Sequence, residues 1–285
     1  MPNAHAVRLA SRHNDMLGML LRDSRNPAYS ALLSSVQLEA QRRQFEVVTV
    51  TVSADDQGHN QLAGLRRLLG FRVAGLMVAT GDISGEQLRP FLGEIPVLRT
   101  GRPEPDSEVD AISYDEPAHA RLLTEHLVSL GHRDIAVLRT DARVSYPEWV
   151  RGQVMIDDLV TRGLRPRIFE VSAATDGVEA AVDLAERAEI TALMCPTDAR
   201  QLTALRAAHA RRVAVPEALS ISGCDGLMPG VDLLGLTTVR LPVEELAKAA
   251  VARIVDSIAA PVEPNQHSIA GTLIEGTTTA ARSLD

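Results

Sequence analysis

Short apolar runs alternate with stretches of helical periodicity along almost the whole chain. The first run, residues 16–21, reads MLGMLL, and a continuously apolar run of this length is typical of a strand buried on both faces of a parallel sheet. Apolar residues at helical spacing follow between Tyr29 and Ala40. Repetition of this unit predicts the α/β class, built from doubly wound parallel sheets.

The number of predicted strands favours two sheets in two lobes, and we place the boundary between the lobes near residues 139–145. The predicted strands are residues 16–21, 45–52, 74–78, 95–98, 112–115, 135–138, 167–171, 192–195, 219–222 and 268–274. The predicted helices are residues 29–40, 62–69, 122–130, 148–162, 178–187, 198–210 and 242–258.

Composition limits the classes of function. The chain has 285 residues, 45% of them hydrophobic, so it can bury a sizeable core in one large or two medium domains. A formal net charge of −8 argues against non-specific nucleic-acid binding by the body of the chain. Two cysteines, Cys195 and Cys224, are too few for a disulfide framework and are expected to be buried thiols in a reducing cytoplasm. No apolar run approaches membrane-spanning length, and no basic-then-apolar export signal is found at the N-terminus.

The N-terminal segment differs from this acidic body. Residues 2–10 read PNAHAVRLA, and no acidic residue precedes Asp15. Asn3 can cap a short helix, and a short basic helix with one apolar residue, Leu9, suits insertion into a DNA minor groove. From composition alone, an ordinary frayed N-terminus is the preferred interpretation.

Residue by residue, the same segment resembles the hinge helix of the lactose/galactose repressor (LacI/GalR) family of bacterial transcription regulators, whose pattern is Pro-Asn-Ala-x-Ala-x-x-Leu-Ala. The DNA-contacting positions are then Asn3, His5, Ala6, Leu9 and Ala10. Further segments resemble family motifs in the family's order. They are DSRNP (residues 23–27), RVAGLMV (72–78), EHLVSLGHRDIA (125–136), VPEALSISGCD (215–225) and LTTVR (236–240).

The resemblance implies a periplasmic-binding-protein-like (type I) architecture. Residues 1–13 are the hinge from a missing helix-turn-helix domain, residues 14–141 and 239–260 form one lobe, and residues 142–238 and 261–285 form the other. It also implies a cytoplasmic homodimer that binds operator DNA and a small-molecule effector, a sugar or another small metabolite, with no cofactor and no membrane partner. Effector binding between the lobes then changes the affinity for DNA.

Effector contacts are expected just after the strands, because pockets in doubly wound sheets form at the carboxyl ends of strands. Asp225 matches the family's effector-contacting Asp, and its alternative role is that of a turn residue before a glycine. The other expected contacts are Asn26, Tyr29, Arg102, Trp149 and Thr197. Tyr29 fits a core contact nearly as well, Arg102 fits a solvated side chain equally well, and Asp198 is better explained as the acid at a helix N-terminus.

Two positions depart from the family pattern. The family's effector-gripping Arg lies three residues before a Gly, and here Trp149 stands at that spacing before Gly152. The family's Asp after the fourth strand is replaced by Gly101. Trp149 is expected either to stack on an aromatic or apolar ring or to fill the pocket. Arg151, two residues further along the helix, is expected to point elsewhere.

A catalytic function has little support in the motifs. The sequence contains neither a phosphate-binding Gly-x-Gly-x-x-Gly after the first strand, nor a Walker lysine, nor a Gly-x-Ser-x-Gly elbow, and no His partner is indicated for Cys224. The alternative from another class is a stand-alone sugar-binding protein of the periplasmic type. Residues 2–10 discriminate against that alternative, because a transport binder has no use for a hinge helix.

Overall fold

The computed structural model describes residues 15–22, 26–52, 59–80, 83–172 and 174–282. The expected DNA contacts lie outside these ranges; they are Asn3, His5, Ala6, Leu9 and Ala10. The chain divides into two compact units. Unit 1 comprises Met1–Tyr114 and Val243–Ile269, and unit 2 comprises Asp115–Pro242 and Ala270–Asp285. In the described ranges, no helix is both long and apolar enough to cross a membrane.

Strands and helices alternate through both units. The chain begins in unit 1 with β1 (Met16–Leu21), α1 (Pro27–Arg42), β2 (Glu46–Thr51), α2 (His59–Gly70), β3 (Gly75–Ala79), α3 (Gly85–Leu92), β4 (Val97–Thr100) and β5 (Asp110–Tyr114). It continues in unit 2 with α4 (Glu116–Ser129), β6 (Ile135–Thr140), α5 (Tyr146–Thr161), β7 (Arg167–Val171), α6 (Val178–Glu186), β8 (Ala192–Met194), α7 (Asp198–Ala210), β9 (Ser220–Asp225) and β10 (Thr237–Arg240). It returns to unit 1 with α8 (Val243–Ala259) and β11 (Gln266–Ile269), and to unit 2 with β12 (Thr272–Ile274).

Both sheets are doubly wound, as the alternation predicts. The sheet of unit 1 has the order β11-β5-β4-β3-β1-β2, and every neighbouring pair is parallel. The sheet of unit 2 has the order β12-β10-β9-β8-β6-β7, and among its described strands only β12 runs antiparallel to its neighbour. The predicted fold class is therefore confirmed.

Each unit has its own apolar core, which explains the unbroken apolar runs. In unit 1, Leu20 of β1 packs in one buried cluster with Leu65 and Leu68 of α2. In unit 2, Leu138 of β6 and Leu193 of β8 belong to a second cluster. Burying a side chain of this size stabilises the fold by about 1.5–3 kcal/mol, so strands in these positions tolerate few polar residues.

The division between the units differs from the expected lobes. The chain leaves unit 1 between Tyr114 and Asp115 rather than near residues 139–145, because β6 pairs with β7 and β8 of the second sheet. The single final strand expected at residues 268–274 is instead two strands in different sheets, since β11 pairs with β5 and β12 pairs with β10. Residues 115–141 therefore belong to unit 2, and residues 261–269 belong to unit 1.

Two elements have no counterpart among the predicted ones. Helix α3 begins at a capping box in which Ser84 Oγ accepts from the Gln87 amide and the Gln87 side chain accepts from the Ser84 amide. Pro90 lies inside this helix and weakens its helical pattern in the sequence. Strand β10 pairs in parallel with β9, so the strand predicted at 219–222 is not the last parallel one.

Candidate functional site

The candidate site in unit 2 lies where the winding of the sheet reverses. Strand β6 has β7 on one side and β8 on the other, and the carboxyl ends of β6 and β8 therefore border a crevice of the kind that binds ligands in doubly wound folds. Asp225 ends β9, Thr197 follows β8, and Trp149 lies in the first turn of α5 after β6. The structure thus places three of the expected effector contacts at one edge of this sheet.

Asp225 is a nearly buried carboxyl group with one oxygen available. Its side chain is 16% exposed, and its Oδ1 accepts a hydrogen bond of 3.0 Å from Nη1 of Arg151. Among the described residues, no donor reaches Oδ2. The backbone of Asp225 has φ 122°, which non-glycine residues rarely adopt, and its carbonyl oxygen accepts from the Leu241 amide at 3.0 Å. Such backbone strain costs about 1–3 kcal/mol and is concentrated at functional sites.

Arg151 is the main residue that the sequence analysis misjudged. It is 4% exposed, and besides Asp225 it donates to the Pro196 carbonyl oxygen at 2.6 Å and to both carboxylate oxygens of Glu116. The expectation that Arg151 points away from the site is therefore wrong. Successive helix residues differ by about 100°, so Trp149 and Arg151 are about 200° apart around α5. Gly152 sets the rotation, because a Cβ there would lie 3.3 Å from the backbone of β6.

Glu116 and His119 extend this contact along the first turns of α4. Both side chains are fully buried, and His119 Nδ1 lies 3.4 Å from Glu116 Oε2. His119 Nε2 accepts the Gly271 amide hydrogen at 2.8 Å, so Nδ1 carries the ring hydrogen of the neutral imidazole and donates to Glu116. Neither residue was predicted for the site, although Glu116 lies two residues after the end of strand β5 and His119 one turn further along α4.

The carboxyl groups around Arg151 differ in their proton affinity. Burial raises the pKa of Asp225 to about 8 against the opposing charge of Arg151. Burial also raises the pKa of Asp198 to about 6, although its hydrogen bond from Thr238 acts in the opposite direction. Burial would raise the pKa of Glu116 as well, but Arg151 and His119 outweigh it and hold that pKa below its usual value. Glu116 is therefore the permanent counter-ion of Arg151, while Asp225 can gain or lose a proton near neutral pH.

Thr197 and Asp198 hold the neighbouring loop in place. Thr197 Oγ1 accepts the Arg200 amide at 3.4 Å as the N-cap of α7, which gives this buried side chain a structural role. Asp198 begins α7, as predicted for a helix N-terminal acid, and its carboxylate accepts from the Gly226 amide at 2.8 Å and the Thr238 hydroxyl at 2.5 Å. Asp198 therefore fixes the residue after β9 and the second residue of β10.

Trp149 neither stands alone nor is fully buried. Its ring stacks on Tyr146 with 5.8 Å between centroids and 26° between planes, and the side chain is partly exposed. The neighbouring Glu148 accepts from Arg200 Nε at 2.7 Å and from the Thr140 hydroxyl at 2.8 Å. The indole ring is therefore held against Tyr146 in the first turn of α5.

The remaining expected contacts lie in unit 1. Asn26 is exposed and caps α1, since its Oδ1 accepts the Ala28 amide at 2.9 Å. Tyr29 is half-buried in the first turn of α1. Arg102 is buried rather than solvated, and its Nε donates to the Pro103 carbonyl oxygen at 3.1 Å. Gly101 has φ 77°, a left-handed conformation that glycine adopts without strain.

A third buried arginine, Arg99, was not predicted for any site. Arg99 of β4 is fully buried; it pairs with Glu104 at 2.8 Å and donates to the carbonyl oxygens of Thr80 at 3.0 Å and Ile83 at 2.8 Å. Burial lowers the pKa of Arg99 to about 10. These contacts tie the loop after β3 to the end of β4.

Thiol or metal chemistry is not supported by the described side chains. Cys195 and Cys224 are free and buried, as expected, and burial raises the pKa of both thiols, so neither is a ready nucleophile. No group of three or more His, Cys, Asp and Glu side chains within the described ranges is arranged to hold a metal ion.

The chain is similar to known proteins over nearly its whole length. The family described as "Periplasmic binding protein-like domain" matches residues 124–279. The HTH-type transcriptional regulator DegA of Bacillus subtilis is 25% identical over 263 residues, which cover 86% of this chain and 74% of that protein. The HTH-type transcriptional repressor PurR of Aliivibrio fischeri is 27% identical over 267 residues, which cover 90% and 78%.

Solved structures agree in fold. The lac repressor dimer bound to operator and the anti-inducer ONPF superposes with a TM-score of 0.84 at 22% identity, covering 99% of both chains. The complex of the transcriptional regulator CelR with cellobiose superposes with a TM-score of 0.77 at 22% identity, covering 94% of this chain and 85% of that one. The relatives named here are regulators, and none is named as an enzyme. The chain therefore belongs to the periplasmic binding protein-like domain family.

Proposed function

We propose that this chain is the effector-sensing part of a LacI/GalR-type transcriptional regulator and that Asp225 is its principal effector contact. The observation that carries the proposal is the available Oδ2 of a nearly buried carboxyl group, fixed by Arg151 at the carboxyl end of β9. A ligand that donates a hydrogen bond to this poorly solvated carboxyl oxygen gains affinity.

The proposed effector is a small hydroxylated ring compound such as a sugar. A carboxyl oxygen accepts from a hydroxyl group, and a carboxyl group that titrates near neutral pH can also donate. Trp149, already stacked on Tyr146, offers a ring face to the apolar side of a sugar. Thr197 in unit 2 and Asn26, Tyr29 and Arg102 in unit 1 remain proposed contacts.

The regulatory part of the proposal follows the relatives. PurR of Aliivibrio fischeri is named a repressor, and the lac repressor was solved as a dimer on operator DNA. We extend both properties to this chain, as a cytoplasmic homodimer without enzymatic activity that contacts operator DNA. The proposed DNA contacts are Asn3, His5, Ala6, Leu9 and Ala10. Effector binding would then shift the population of DNA-binding conformations.

Thermal unfolding against a panel of compounds tests the sensing role. The panel contains sugars, sugar phosphates, nucleosides and small aromatic acids. A compound present at a hundred times its dissociation constant adds about 2.7 kcal/mol to the free energy of unfolding. We expect at least one neutral sugar to raise the melting temperature by several degrees in a saturable way. A flat response to every sugar would contradict the proposed effector class.

A further inference from the structure

A continuous series of contacts runs from Asp225 to the backbone at Gly271. Arg151 bonds Asp225 with Nη1 and bonds Glu116 with Nε and Nη2. Glu116 Oε2 also lies 3.4 Å from His119 Nδ1, and the other ring nitrogen of His119 accepts the Gly271 amide at 2.8 Å. Three side chains therefore separate the proposed effector contact from the backbone of a distant chain segment.

Burial makes these contacts hard to replace. The side chains of Glu116 and His119 are fully buried, and that of Arg151 is nearly so. A donor or acceptor that loses its partner at such a position cannot form a replacement hydrogen bond to bulk water, so the loss is not compensated. Hydrogen bonds in a poorly solvated network also strengthen one another. A change in the hydrogen bonds of one side chain in this series therefore alters those of the next.

The geometry of Arg151 allows a shift of Asp225 to reach Glu116. Its guanidinium is planar and rigid, and one edge holds Glu116 while Nη1 holds Asp225 and the Pro196 carbonyl oxygen. A rotation that follows a shift of Asp225 therefore moves the atoms bonded to Glu116. Because Glu116 Oε2 serves both Arg151 and His119, that motion alters the hydrogen bond to the imidazole.

The network touches the places where the chain passes between the units. Glu116 is the second residue after the first passage, and Gly271 is the second residue after the last one. The amide of Leu241, next to the second passage at Pro242, donates to the Asp225 carbonyl oxygen at 3.0 Å. A Cβ at position 271 would lie 2.2 Å from the Arg240 carbonyl oxygen, so these two passages are also in direct backbone contact.

We propose that Arg151, Glu116 and His119 form a relay, in which a shift of the Asp225 carboxyl group is transmitted through their hydrogen bonds to the backbone at Gly271. Glu116 and His119 act as positioning residues that do not touch the effector. The inference rests on the proposed function in taking Asp225 as the group that an effector engages. It assigns a role to two side chains that the sequence analysis did not single out for the site.

Amide hydrogen exchange measured by NMR on the ligand-free full chain tests the relay. Asp225→Ala removes the acceptor at the site end, and we expect the exchange rate of the Gly271 amide to rise about tenfold while the His119 ring nitrogen resonances shift. Glu148→Gln is the matched control, because Glu148 lies on the same helix but bonds Arg200 and Thr140 instead. It should leave both signals unchanged.

Glu116→Gln tests the middle of the relay. In that background, Asp225→Ala should produce no further change at Gly271, because the connection is already broken. Exchange at Leu193, in the core of β8, serves as the measure of global opening. An unchanged Gly271 amide in Asp225→Ala, or a rise at Leu193 equal to that at Gly271, would overturn the relay. Because the exchange experiment uses no effector, it can refute the relay while the thermal-unfolding panel still supports effector binding. It can equally support the relay while that panel gives no response.

Discussion

Replacement of Arg151 by methionine tests the energetics of the site most sharply. Methionine has a similar length and keeps the space filled, but it leaves Glu116 without its cation in a fully buried position. Removing one partner of a buried ion pair costs about 3–5 kcal/mol, because the remaining charge is stranded. Asp225 contributes less to this cost, since its raised pKa lets it take up a proton near neutral pH. We therefore expect Arg151→Met to lower the free energy of unfolding of unit 2 by about 3–5 kcal/mol at pH 8.

The loss should depend on pH with a defined sign. In the wild type, the pKa of Glu116 lies below its usual value, so the group is ionised at pH 5. Without Arg151, only His119 opposes the effect of burial on Glu116, so the pKa of Glu116 rises and the folded variant binds a proton that the unfolded chain binds less tightly. The variant is therefore stabilised as pH falls from 8 to 5, and the loss should shrink to about 1–3 kcal/mol, the cost of the remaining broken hydrogen bonds.

Urea unfolding followed by tryptophan fluorescence measures this loss in the correct unit. Trp149 is the only tryptophan and lies on α5 with Arg151, so the signal reports unit 2. The double variant Arg151→Met with Glu116→Gln removes the stranded charge and should recover at least half of the loss at pH 8. A loss that is equal at pH 5 and pH 8, or no recovery in the double variant, would refute the assignment of Glu116 as the ionised counter-ion.

Three other predictions are also measured by urea unfolding. Asp225→Asn should become increasingly stable relative to the wild type from pH 5 to pH 8. The folded wild type, with a pKa of about 8 at Asp225, still binds a proton that the unfolded chain has released, so the wild type loses stability as pH rises through this range. A pH-independent difference would contradict the raised pKa. Gly223→Ala should cost about 1–3 kcal/mol, because its Cβ would lie 2.3 Å from a buried glutamine oxygen, and an unchanged midpoint would show that the packing yields. Arg99→Met, followed by circular dichroism because Arg99 lies in unit 1, should cost about 3–5 kcal/mol by stranding Glu104. Arg89→Ala should cost about 1 kcal/mol or less, because the Arg89 side chain in its pair with Asp106 is 50% exposed.

The fold was predictable where one physical pattern dominates. The limits of β1 and α7 agree with the predicted residues 16–21 and 198–210, because a fully buried strand and a capped helix leave clear patterns. Helix α3 escaped because Pro90 lies within it, although Ser84 and Gln87 carried a capping signal. The first and last passages between the units were misplaced, because strand pairing over long sequence distances, such as β11 with β5, leaves no local pattern.

The site was less predictable than the fold. Asp225 was predicted because it ends a strand within a family-like motif, and the structure places its carboxyl group at the end of β9, 16% exposed and bonded to Arg151. Arg151 was misjudged because sequence spacing does not define the rotation of α5, which depends on how closely Gly152 approaches β6. Glu116 and His119 were missed because their contacts join elements that are far apart in sequence, and only packing brings them to Arg151.

The most direct test of the account is the dissociation constant of a stabilising sugar for the wild type, Asp225→Asn and Glu148→Gln, each measured by isothermal titration calorimetry. A lost hydrogen bond to a buried carboxyl costs about 1–3 kcal/mol, which corresponds to roughly a 5–150-fold weaker affinity. The account predicts this loss for Asp225→Asn and an unchanged constant for Glu148→Gln. Equal affinity of the wild type and Asp225→Asn would contradict the claim that Asp225 is the principal effector contact.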